Sequence, residues 1–202
     1  MTKPVLILVN HLQGAGHLAR ALNLGRAFAH AGHDTHILSG GFPVAQFDTT
    51  EITLHQMPPI RADGSNFSRL LDDQGQDATD AYHDTRVAFA RDVLNRVRPA
   101  LLVVELFPFG RRNLKAEYLQ ILDNASLLPT PPVITGSLRD ILSPPSKPSK
   151  VTFAEDTLHR FFTAVCVHSE HGVVPLEASW PVSDFVRPFL HYTGFVLSLI
   201  HI

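Results

Sequence analysis

The sequence predicts an α/β fold, a Rossmann-like doubly wound parallel sheet. Two features carry that expectation. Short continuous apolar runs alternate with longer stretches of helical apolar spacing, and a glycine-rich turn joins the first run to the first helical stretch. The length of 202 residues is enough for one such domain with a sizeable core and short for two. With 45% hydrophobic and 18% charged residues and a mean hydropathy of +0.06, the composition is globular rather than disordered.

The elements follow in order. "VLILV" (5–9), bounded by polar and glycine residues, reads as a central strand covered on both faces. From His17 to Ala31 the apolar residues Leu18, Ala21, Leu22, Leu24, Ala27 and Phe28 recur at helical spacing, and Gly32 supplies the stop. "DTHILSG" (34–40) and "ITLHQM" (52–57) are the second and third strands, a long helical stretch spans 78–97, and "ALLVVEL" (100–106) is the fourth strand. "PVITGS" (132–137) is a further strand, "FAEDTLHRFF" (153–162) a helix and "AVCVHS" (164–169) another strand, for a parallel sheet of about six or seven strands. Two segments rich in breakers, Pro58–Gly75 and "SPPSKPSK" (143–150), are expected to be surface loops near the functional side, the prolines of the second holding neither helix nor central strand. Phe67 in the first loop would either close over a ligand or pack on the domain.

Composition narrows the partners. A formal charge of −2 offers no basic face for nucleic acid. Cys166 is the only cysteine, which excludes a disulfide framework and a cysteine-rich zinc site and fits a reducing compartment, so the cytoplasm is expected. The Val5–Val9 run is far too short for a membrane span. Among 12 histidines, His30, His33 and His36 straddle a helix end, a turn and a strand and share no face, so no metal site is expected there. His168 and His171 read as polar loop residues, and Cys166 as a buried inert thiol.

Gly14, Gly16 and Ala19 satisfy Gly-x-Gly-x-x-Ala between a strand and a helix, the dinucleotide-binding fingerprint. An NAD site also needs an acidic group at the end of the second strand. That strand ends in Ser39-Gly40-Gly41, Asp34 lies at its beginning, and no arginine awaits a 2′-phosphate. An NAD(P) oxidoreductase is therefore disfavoured. The glycines have an alternative role in a tight turn and close packing. His17, at the first helical position, can point from the carboxyl end of the sheet into the crevice used by α/β ligand sites, where a neutral imidazole suits a general base acting on a hydroxyl.

"HLQGAGHLARA" followed by "AGHDTHILSGG", and then "MPPIRADGSNF", "ELFPFGRRN", "SLRDIL" and "HYTGFV", resemble successive segments of GT-B fold glycosyltransferases, in particular a predicted bacterial group related to the lipid-linked N-acetylglucosaminyltransferases. The likeness covers most of residues 4–196. It implies that 1–196 is an N-terminal, acceptor-side domain whose donor-binding partner domain is missing. The implied reaction is inverting transfer, hexosyl in type, from a nucleotide-sugar donor to a hydroxyl of a small-molecule or lipid-linked acceptor. No cofactor is implied beyond the nucleotide-sugar co-substrate and no metal is required; a lipid-linked acceptor would bring peripheral membrane contact. His17 is the candidate base. Glu105, at the carboxyl end of the fourth strand, is the first choice to orient it and Asp140 the second; either also reads as a capping or ion-pair carboxylate. Gly14, Gly16, Arg111, Arg112 and Arg139 are the candidate substrate-binding residues, the arginines through bidentate contact with an acceptor carboxylate or phosphate, or else as solvated surface charges. A noncatalytic nucleotide or nucleotide-sugar binding module is the alternative from another class.

The last six residues, "LSLIHI" (197–202), are what the DNA string CTGTCTCTTATACACATC encodes, and that string resembles the mosaic end of a transposase adapter. Coming where the related transferases would continue into the donor domain, they are expected to be a non-native tail on a truncated product with no transferase activity alone. An edge strand built from Leu197, Leu199, Ile200 and Ile202 is the alternative.

Overall fold

Five buried residues in a row, Val5–Val9 (β1), run through the middle of a seven-stranded sheet. A computed structural model describes residues 3–64 and 66–196, apart from the side chains of Asn66, Phe67 and Ser68. The expectations for Phe67 and for the 197–202 tail fall outside these described residues. After β1 come α1 (Gly16–His30), β2 (Thr35–Ser39), β3 (Thr53–Gln56), β4 (Arg61–Asp63), β5 (Asn66–Leu71), α2 (Asp80–Val97), β6 (Leu101–Glu105), α3 (Lys115–Ser126), β7 (Val133–Arg139), α4 (Pro148–Phe161), β8 (Ala164–His168) and β9 (Leu190–Tyr192). The large sheet has the order β3-β2-β1-β6-β7-β8-β9, and every pairing in it is parallel.

The continuous apolar run of β1 serves two cores because successive side chains point to opposite faces. Val5, Ile7 and Val9 pack with Leu18, Ala21 and Leu22 of α1. Leu6 and Leu8 pack with Ala90, Val93 and Leu94 of α2 and with Tyr118 and Ile121 of α3. The chain moves outward from β1 through β2 to β3, then returns beside β1 as β6 and continues the other way. The carboxyl ends of β1 and β6 therefore flank a topological switch point, where an open α/β sheet leaves a ligand crevice.

Four segments differ from the sequence expectation, the first being α3 (Lys115–Ser126), which no expected element covers. The Pro58–Gly75 loop contains an antiparallel hairpin, β4 paired with β5. Proline does not bar helix from the whole of 143–150, since α4 begins at Pro148, in the first turn, where the missing N–H costs no hydrogen bond. β9 adds an edge strand of three residues, too short to show a period. At the end of β2, a Cβ on Gly40 would lie 1.7 Å from Asn10 Oδ1 and one on Gly41 2.3 Å from the His11 carbonyl oxygen. The glycine pair that replaces an acidic ribose ligand is there to let the β1 loop pass.

Candidate active site

His17 sits in the first turn of α1, just after the loop that leaves β1. Its Nδ1 lies 3.0 Å from Oε1 of Glu105, the last residue of β6. Adjacent parallel register brings them together: β1 pairs with β6 from Val5↔Leu101 to Leu8↔Val104, so the residues following each strand share one end of the sheet. His17 is partly exposed, whereas Glu105 is 2% exposed. Burial alone would raise the Glu105 carboxyl; hydrogen bonds from His17 and Ser137 and the charge of Arg20, whose Nε is 3.3 Å from Oε1, hold it below the ordinary carboxylate value. A buried, ionised carboxylate is thus fixed behind the ring of a histidine that faces open space.

That space is a groove of about 760 Å³ lined by His17 together with Leu12, Leu106, Phe109, Arg111, Arg112, Arg139 and Lys150, among others, none of them acidic. Arg111 donates from Nε to the Asn10 carbonyl at 2.6 Å, and burial lowers its guanidinium below the ordinary value without an ion pair among the described residues. It occupies the left-handed region at φ 56°, as does Leu106 at φ 69°, so both ends of the "LFPFGR" turn hold conformations uncommon for bulky residues. Arg112 donates to the Phe109 carbonyl at 2.5 Å and lies over the Trp180 ring at 5.9 Å. Arg139 borders the groove and also pairs with Asp140 at 3.1 Å.

Of the two carboxylates proposed for His17, Glu105 makes the contact and Asp140 faces Arg139 instead. Gly14 takes φ +64°, the turn geometry that favours glycine; Gly16 has no positive φ, and nothing lies within 4 Å of a Cβ at either position. Close packing is therefore not what calls for glycine there. Gly16, Arg139, Asp140 and His168 border a second, smaller crevice of about 310 Å³. Among the described residues no group of three or more His, Cys, Asp or Glu side chains is placed to hold a metal. His30 pairs with Glu51 at 3.0 Å, and His36 stacks on His55 at 5.2 Å. No helix among the described residues is long and apolar enough to cross a membrane.

Residues that sequence reasoning passed over complete the site. His168 is no loop residue: it ends β8, is 6% exposed, and meets Ser137 of β7, which in turn meets Glu105. Arg20 lies one turn beyond His17, with its Nε buried against Glu105. The available signal was positional, since Glu105 and His168 each close an apolar run as the last residue of a strand, and Ser137 lies two residues before the end of β7.

No family model matches the chain, and no curated protein matches it. Solved structures do. Phytolacca americana UGT2, determined in complex with UDP-2-fluoro-glucose and pterostilbene, matches at 13% identity with a TM-score of 0.54, over 98% of this chain and 55% of that one. Acinetobacter baumannii MurG matches at 15% identity and TM-score 0.53, over 97% of this chain and 46% of that one. CalG4, the calicheamicin glycosyltransferase, matches at 12% identity and TM-score 0.52, over 96% and 53%. The chain spans about half the length of these structures. The seven parallel strands with helices on both faces are therefore the Rossmann-like fold found in GT-B glycosyltransferases.

Proposed function

We propose that this chain is the acceptor-side part of an inverting glycosyltransferase, hexosyl in type, with His17 as general base. The observation that carries the reading is the His17–Glu105 contact. Glu105 holds the Nδ1 proton of the ring, which leaves Nε2 as the basic nitrogen at the groove. An acceptor hydroxyl attacks the anomeric carbon of a nucleotide sugar, the bond from that carbon to the nucleoside diphosphate breaks with its electron pair leaving on phosphate, and the hydroxyl proton passes to Nε2. The nucleotide sugar would be bound by a second domain, which the 1–196 domain would face. Glu105 stabilises the imidazolium that forms without itself taking the proton.

The groove supports an acceptor that carries a carboxylate or phosphate beside an apolar part. Arg111, Arg112, Arg139 and Lys150 supply positive charge, while Leu106, Phe109 and the half-exposed Ile141 supply apolar wall. A lipid-linked or amphiphilic small acceptor fits that chemistry, and Ile141 would sit at a membrane surface in the first case. No metal or cofactor is needed in this scheme.

Sugar transfer by this chain together with a nucleotide-sugar-binding domain tests the base. His17→Ala is expected to lower kcat by roughly 10²–10⁴-fold while donor binding is retained. Unchanged turnover would overturn the assignment. Saturable nucleotide-sugar binding by the 202-residue chain alone would favour a noncatalytic binding module instead.

A further inference from the structure

The buried hydrogen bonds at the carboxyl edge do not stop at Glu105. Ser137 stands opposite Glu105 in the β6–β7 register, and its hydroxyl reaches Glu105 Oε2. The same hydroxyl is 3.0 Å from Nε2 of His168, and Nδ1 of His168 is 2.8 Å from Oγ1 of Thr193 in the segment that follows β9. Four side chains from β6, β7, β8 and that segment thus run in series behind His17.

Counting protons gives this series a direction. Glu105 is acceptor only, so the Ser137 hydroxyl must donate its one proton to Oε2. The Ser137 oxygen then has only lone pairs to offer His168, so Nε2 of His168 must carry the ring proton. Nδ1 of a neutral ring is then an acceptor, and Thr193 Oγ1 must donate to it. The ring is neutral because burial holds His168 far below the ordinary imidazole value. Reversing any link would set two lone pairs against each other in a buried site. The other charged or titratable groups near the His17 ring include Arg20, Arg111 and His11, and the two arginines are donors only.

We infer that Thr193, His168 and Ser137 are positioning residues: a one-way series of donated protons, starting in the segment after β9, holds Glu105 as the acceptor that keeps the His17 proton on Nδ1 and its Nε2 bare. The role of His17 as base is taken from the proposed function; the hydrogen-bond direction is not. Removal of the Ser137 hydroxyl would take away one of the hydrogen bonds that Glu105 accepts and leave the Nε2 proton of His168 without its acceptor, so that the ring is free to move its proton to Nδ1.

Long-range ¹H–¹⁵N correlation on the histidine-labelled chain at neutral pH reads the tautomers directly, with His17→Gln and His168→Gln for assignment. The expected wild-type pattern is His168 protonated on Nε2. Ser137→Ala, which removes the hydroxyl and little volume, is expected to transfer signal to the Nδ1-protonated form of His168 and to displace the His17 nitrogen resonances, whereas Thr193→Val is expected to leave His168 protonated on Nε2. His168 found protonated on Nδ1 in the wild type, or both rings unmoved by Ser137→Ala, would overturn the inference. Unchanged turnover in His17→Ala, with the tautomers as expected, would instead remove the proposed function and leave the series standing.

Discussion

His168 is a group that folding takes out of water while its unfolded counterpart stays free to protonate. Burial pushes its imidazole down to about 4 from 6.5, so between those values the unfolded chain binds a proton that the native chain refuses. The sign follows: stability is insensitive to His168 above the unfolded value, begins to fall as pH drops through it, and has lost roughly 3 kcal/mol once pH is below the folded value, from the shift of 6.5 to about 4. Glu105, held below its ordinary value, acts in the same direction but at lower pH, where its stabilisation is lost as pH falls through the folded value. His168→Gln keeps a side-chain N–H near the Nε2 position and cannot titrate. Urea unfolding across the acid range should therefore show a shallower loss for His168→Gln than for wild type, with a difference close to the His168 contribution. Parallel pH profiles would mean that the ring is protonated or solvated in the native chain.

Between elements, the strongest polar constraint lies away from His17, where α2 and α3 meet the ends of β1 and β2. Arg86 of α2 is 0% exposed and makes a bidentate pair with Glu117 of α3, Nε at 2.8 Å and Nη2 at 2.9 Å. Its Nη2 also reaches Asn10 Oδ1 at 2.7 Å and its Nη1 the Gly40 carbonyl at 3.0 Å, so one guanidinium ties two helices to both strand ends. Asn10 is the residue whose carbonyl holds Arg111, which links this clamp to the groove wall. Glu117→Gln leaves that guanidinium buried without its counter-charge, and denaturant unfolding should report a loss of roughly 3–5 kcal/mol. A loss within about 0.5 kcal/mol, the range of ordinary surface substitutions, would show that water reaches Arg86. Nothing in the sequence announced this pair, because Arg86 and Glu117 lie far apart along the chain on helices of mixed polarity, and α3 itself went unread. What was legible were elements with one dominant period: the β1 run, the α1 stripe, and the strands that end in Glu105 and His168. The His17–Glu105 contact could be anticipated because Glu105 ends β6 and His17 opens the helix that follows the neighbouring strand β1, at the same end of the sheet. The links from Glu105 through Ser137 to His168 and Thr193 depend on strand register and on a short edge strand, which periodicity does not encode.

For the whole chain, the question is whether the stretch after β8 belongs to the same cooperative unit as the sheet. Trp180, the only tryptophan, is 1% exposed and meets Phe109 edge-on at 5.2 Å, in the turn that carries Arg111. Its core also includes Leu6, Leu8, Leu176 and Val186, so apolar burial is continuous from the central strand to the C-terminal stretch. Polar contacts reinforce it: Leu142 N donates to Ser179 Oγ at 2.9 Å, Leu176 N donates to the Tyr192 hydroxyl at 2.8 Å, and β9 pairs with β8. A segment held by one shared core should not melt before the sheet does. Trp180 fluorescence, which reports the docking of this stretch, should therefore follow the same urea transition as far-UV circular dichroism, which reports the helices and sheet. Phe109→Ala removes the ring that Trp180 packs against and should move both midpoints together, for a loss of roughly 3–5 kcal/mol. A fluorescence transition that completes at lower urea than the dichroism would mark the stretch after β8 as a separate unit. Thr193 would then be released while the sheet stays intact, and the series behind His17 would open by local unfolding.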